Sequence, residues 1–124
     1  MDWKRIIRDV VLIMLLTAVG GFLVAMLAAT SGTKVSMPAI AVSNIGLAAL
    51  GFAVSGSLTR THRVRHLLTV AALVWVASLV NVPLGVPVAQ WALGSIAILF
   101  ACAIGGAVAA LIFRPKRDST PPLQ

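Results

Sequence analysis

The sequence predicts an all-α polytopic membrane protein, four transmembrane helices arranged as two consecutive hairpins. Three observations carry this prediction. The chain of 124 residues is 60% hydrophobic and only 10% charged, with a mean hydropathy of +1.03, whereas soluble domains are about 45–50% apolar and about 25% charged. Four stretches come close to the roughly 20 apolar residues that a hydrocarbon core about 30 Å thick requires. The basic residues gather in alternate segments flanking those stretches, which places nearly all of them on one side.

The first span covers about residues 10–29 and carries no charge. Its apolar run exceeds the roughly 7–15 residues of a signal-peptide core, which predicts a retained helix. The polar turn Thr30-Ser31-Gly32-Thr33-Lys34 follows. The second span covers about residues 37–58, with Pro38 in its first turn, where a missing N–H costs little. The third, about residues 67–82, is the shortest. It reaches full length only if Val64 and the stems of Arg63 and Arg65 are drawn into the interface. The segment Asn81-Val82-Pro83-Leu84-Gly85-Val86-Pro87 stops it and sets the start of the fourth span, about residues 88–113. Residues 1–113 thus form one four-helix transmembrane domain, and residues 114–124, basic and then proline-rich, read as a disordered cytoplasmic tail. Trp3 and Trp91 suit the aromatic belts at the two interfaces.

Charge sets the orientation. Lys4, Arg5 and Arg8 precede the first span, Arg60, Arg63 and Arg65 separate the second from the third, and Arg114, Lys116 and Arg117 follow the fourth; these nine fall on one side and Lys34 alone on the other. Basic flanks stay cytoplasmic, so both termini are placed inside, in a bacterial inner (cytoplasmic) membrane. The net charge of +7 is then explained by topology and by attraction to anionic lipid headgroups. Nucleic acid is not indicated, since the chain has no Tyr and its Phe residues lie within spans, leaving no platform on which bases could stack.

The two hairpins can be aligned on each other: Leu15-Leu16-Thr17 falls on Leu67-Leu68-Thr69, and Gly51 on Gly105. This suits either an internal duplication or shared composition. Lipid solvates leucine as well as protein does, so helix association must come from close backbone packing and interhelical hydrogen bonds. Small residues at helical spacing supply candidate faces: Thr17, Gly21 and Ala25 in the first span, Asn44, Ala48, Gly51 and Ser55 in the second, and Gly94, Ala101, Gly105 and Ala109 in the fourth.

Catalytic chemistry finds little material. The only carboxylates are Asp2, Asp9 and Asp118, and the one cysteine is Cys102. No metal-binding or phosphate-binding motif is present, so no catalytic, cofactor or metal residue is assigned. His62 and His66 share a helical face but sit beside Arg63 and Arg65, which oppose a cation; they read as interfacial side chains. Asp9 reads as a local ion pair with Arg5 or Arg8. Asn44 is the most polar group within a span and must face another helix or water. Trp75, in mid-span, should direct its indole N–H to a partner such as Ser78 or Asn44. The expectation that follows is a non-enzymatic protein. One reading is an interaction or accessory subunit that packs through its small-residue faces, with itself as a homo-oligomer or with a larger membrane partner. The other is a small oligomeric channel or transporter whose polar path is lined by Thr17, Asn44 and Ser55.

Overall fold

The computed structural model describes residues 3–32, 34, 36–59 and 62–112. Arg60, Arg114, Lys116, Arg117 and the segment 113–124 lie outside the described residues, as do Asp2 and Asp118. Four α-helices and no strand are found among the described residues: α1 (Trp3–Ser31), α2 (Met37–Leu58), α3 (Arg63–Ala77) and α4 (Val88–Ile112), with a short 3-10 helix, Ser78–Asn81, continuing α3. All four helical segments are long and apolar enough to cross a membrane.

The third crossing shows how a short apolar run meets the thickness requirement. Helix α3 starts at Arg63, four residues ahead of its first leucine, so the arginine stems form its first turn. The 3-10 continuation rises about 2.0 Å per residue instead of about 1.5 Å. Fifteen α-helical and four 3-10 residues therefore reach about 30 Å, one hydrocarbon core. His62 precedes the helix in the left-handed region, φ 53°, and its carbonyl accepts the His66 N–H at 3.0 Å. Beyond Asn81 the chain reverses through a turn in which Gly85 takes φ +105°, a conformation open to glycine and strained for other residues.

Helix α2 is the centre of the bundle. It packs most extensively on α4, then on α1; α3 closes the group against α4 and α1, leaving α1 and α4 diagonally apart. The buried core comprises Ile6 and Ile13 of α1, Ala48, Ala49 and Phe52 of α2, Leu67, Val70, Ala71 and Val74 of α3, and Ala101 and Cys102 of α4. The C-terminal half of α1 (the outer half if the termini are cytoplasmic), by contrast, touches α2 through Gly20 against Leu47 and otherwise stands largely clear of the rest, with Phe22, Leu23, Met26 and Leu27 all exposed.

The small residues divide α2 into two working faces. One receives α4 at backbone distance. A Cβ built on Gly105 would lie 2.6 Å from Phe52 Cβ and 2.8 Å from Ala53 N, and would press on the Ala49 carbonyl. One turn on, a Cβ on Gly56 would lie 3.0 Å from that of Ala109. The other face, Asn44, Ala48, Gly51 and Ser55, is turned toward α1, where a Cβ on Gly51 would meet Ile13 Cγ1 at 2.8 Å. Ala101, Gly105 and Ala109 are buried, whereas Ala25 is exposed and Gly94 has open space where a side chain would go.

These environments rank three substitutions. Gly105→Leu forces backbone against backbone and is expected to cost about 3 kcal/mol or more, at the severe end of overpacking. Gly51→Leu meets a side chain that can rotate and should cost less, and Gly94→Leu should stay within about 0.5 kcal/mol. Thermal unfolding of the three variants in one detergent checks the order.

Candidate functional site: a polar layer and a polar cavity along the bundle

Antiparallel hairpins put the start of α1, the end of α2 and the start of α3 at the same level. Asp9, Ser55 and His66 occupy that level and meet inside the bundle. Asp9 is 2% exposed and Ser55 1% exposed. The Ser55 hydroxyl donates to Asp9 Oδ2 at 2.6 Å, and His66 Nε2 lies 3.0 Å from the same oxygen. The other oxygen, Oδ1, accepts from Arg8 Nε at 2.9 Å and Nη2 at 2.8 Å. The Arg8 side chain is about half exposed, so its guanidinium holds the carboxylate from the rim of the bundle. One buried carboxylate thus ties α1 to both α2 and α3, and each of its oxygens is satisfied, as a charge in an apolar interior requires.

Two turns toward the opposite end of the bundle lies a cavity of about 180 Å³, bounded by Ile13, Met14, Thr17, Asn44, Ser78, Asn81 and Ala97 among others. Asn44 belongs to its lining, and its Oδ1 is the only buried side-chain oxygen or nitrogen among the described residues without a hydrogen-bond partner. Gly21 of α1 faces the same side chain: a Cβ there would stand 3.9 Å from Asn44 Oδ1, an ordinary contact. The Thr17 hydroxyl already donates to the Ile13 and Met14 carbonyls, both at 3.0 Å, so what it offers the cavity is acceptor character. Between the cavity and the Asp9 layer stand Ile13 and Phe52, both fully buried.

Ser78, part of the cavity lining, adjoins a pair of indoles, Trp75 and Trp91, stacked with centroids 4.4 Å apart and 13° between planes. Each indole N–H donates to the other residue's carbonyl at 3.2 Å, and Trp91 Nε1 also donates to Ser78 Oγ at 3.1 Å. The Trp75 indole is therefore satisfied by Trp91 rather than by Ser78 or Asn44.

The structure thus brings Thr17 and Asn44 to one cavity and separates Ser55 from them. It draws His66 inward to Asp9 and leaves His62 exposed. Sequence reasoning missed the Asp9–Ser55–His66 layer. The available signal was their common depth in an antiparallel bundle, which the local pairing of Asp9 with a neighbouring arginine obscured. Among the described residues no group of three His, Cys, Asp or Glu side chains could hold a metal ion.

Removing the shared acceptor should be costly. Asp9→Ala leaves the Ser55 hydroxyl and the His66 ring buried without their partner, and is expected to lower stability by about 3 kcal/mol. Ser55→Ala should cost about 1–2 kcal/mol, the range for a hydrogen bond to a charged group. A double-mutant cycle on Asp9 and His66, read by thermal unfolding, should give a coupling of about 1 kcal/mol or more.

Compared with protein-family models, with characterised proteins and with solved structures, the chain matches none, so what its function is must be argued from this geometry.

Proposed function

We propose that this small multi-pass membrane protein is a non-enzymatic channel or carrier for a small polar solute or ion, held in a bacterial inner membrane with both termini cytoplasmic. The observation that carries this reading is the Asn44 side chain, its oxygen unpartnered, in the lining of a half-open cavity between the helices. Hydrocarbon offers no donor to such a group, so an unmet acceptor at this depth calls for water or a polar guest. Thr17 and Asn44 line the cavity. Ser55 belongs instead to the Asp9 layer, and the fully buried Ile13 and Phe52 close the way between the two. The described state is accordingly one that is shut toward the basic end, and passage requires those two side chains to move. The non-enzymatic part is supported by the state of Asp9, whose two oxygens are both engaged, Oδ2 with Ser55 and His66 of the neighbouring helices and Oδ1 with Arg8 of its own. The basic flanks support the orientation.

A second reading rests on a different observation. The outer half of α1 is exposed on nearly all sides and bears Ala25 at the surface, a helix face to which a second copy or a larger membrane partner could pack. In this accessory role the protein acts through contact and moves nothing itself.

Flux into liposomes separates the two. Under the first reading the purified protein alone passes small ions or solutes, and Asn44→Leu reduces the flux at least tenfold without unfolding the bundle. Absence of flux, together with co-purification in fixed ratio with a larger membrane protein from mild detergent, establishes the accessory reading instead.

A further inference from the structure

The face formed by α3 and α4, remote from the Asn44 cavity, carries a groove of about 330 Å³. Its walls are Leu67 and Leu68 of α3 and Leu99 of α4, and Cys102 and Gly106 belong to its lining. The groove exists because α4 presents Ala103, Gly106, Ala107 and Ala110 there in place of long side chains. A Cβ on Gly106 would already stand 3.2 Å from Leu67 Cδ1. At the basic end the groove is bordered by Arg63, and a broad surface depression beside it is bounded by His62, Arg63, Arg65 and Thr69.

The charges at that mouth are uncompensated. Asp9, the sole acid among the described residues, is engaged by Arg8, Ser55 and His66, and among the described residues neither Arg63 nor Arg65 has a carboxylate partner. Arg63 Nε donates to the Thr59 carbonyl at 3.2 Å, which anchors the guanidinium over the groove and leaves its other donors free. An apolar channel running into the membrane from a cationic mouth at the headgroup level matches one kind of molecule.

We propose that the α3–α4 groove is a binding site for an anionic diacyl phospholipid, with one acyl chain in the channel lined by Leu99, Ala103 and Ala107, the phosphate held by Arg63, and Arg65 adding positive charge from the neighbouring depression. Basic side chains near an anionic surface contribute about 1 kcal/mol each, so each arginine should account for roughly fivefold in affinity. The chain-binding half depends on shape. Ala103 and Ala107 are exposed, so enlarging them fills the groove without disturbing the buried packing.

The test uses the purified full-length chain in mild detergent, titrated with dioleoyl phosphatidylglycerol or with dioleoyl phosphatidylcholine. Binding is counted by native mass spectrometry and followed by the shift in thermal unfolding. The expected result is one tightly retained phosphatidylglycerol per chain, preferred over phosphatidylcholine by tenfold or more and not displaced by millimolar inorganic phosphate. Arg63→Gln with Arg65→Gln should weaken it about twentyfold, and Ala103→Phe should weaken it at least fivefold with the unfolding temperature of the lipid-free protein unchanged. Equal retention of the two lipids overturns the proposal. So does an Ala103→Phe variant that binds phosphatidylglycerol as the wild type does, since charge alone would then explain the binding, and so does self-association through this face that excludes the lipid.

Discussion

Hydrocarbon supplies neither donors nor acceptors, and that absence governs where every polar atom in this bundle sits. The hydroxyls of Thr17, Thr30, Ser31, Ser57, Thr69 and Ser95 turn back onto carbonyls three or four residues earlier in their own helices. The two indoles exchange bonds with each other's backbone. The one buried carboxylate gathers donors from its own helix and from two others. Such groups leave water only when their hydrogen bonds are met. Against this background the bare carboxamide oxygen of Asn44 is the exception, and the functional reading follows from it.

The same solvent removes the usual reason for helices to associate. Leucine gains nothing by leaving lipid for protein, so contact must come from shape and from polar bonds. The bundle uses both, at different places. Where α2 meets α4, Gly105 admits the Ala49 and Ala53 backbone and the Phe52 Cβ, and dispersion over the closely fitted surfaces holds the pair. Where α1 and α3 join α2 at the basic end, Asp9 supplies the bond. Beyond Gly20, which packs against the Leu47 side chain, the C-terminal half of α1 has neither device and stands largely apart; the cavity lies just before this stretch, against Ile13, Met14 and Thr17. Stability is thus concentrated at the basic end and along α2–α4, and freedom to move is left to the outer half of α1.

How much of this could be read from the sequence differs from element to element. The existence of four helices was legible because an apolar run of spanning length has few other fates in a chain so poor in charge. The length of α3 was legible through the stems of Arg63 and Arg65, though not its 3-10 ending, which tertiary contact between Trp75 and Trp91 accompanies. The partner of each small-residue face was not legible. Helix α2 carries Ala48, Ala49, Gly51, Ala53, Ser55 and Gly56 almost all the way round, so no single stripe stands out, and only the packed structure shows that one face serves α1 and another α4. Ser55 was grouped with Asn44 because eleven residues, about three turns, keep them on one helical face. Depth along the bundle, set by Ile13 and Phe52 between them, is what assigns Ser55 to a separate layer. Asp9 and His66 are 57 residues apart in the chain, and their meeting depends on topology rather than on any local pattern.

All of this rests on lipid being the medium in which the four helices pack. The most direct measurement is accessibility labelling of single cysteines in a Cys102→Ala background, placed at Lys34 between α1 and α2 and at His62 ahead of α3, both exposed. With a membrane-impermeant maleimide on intact cells, the account predicts that Lys34→Cys reacts at once and that His62→Cys reacts only after the membrane is permeabilised. Reaction of both from the same side, or recovery of the protein as a water-soluble monomer, would contradict it.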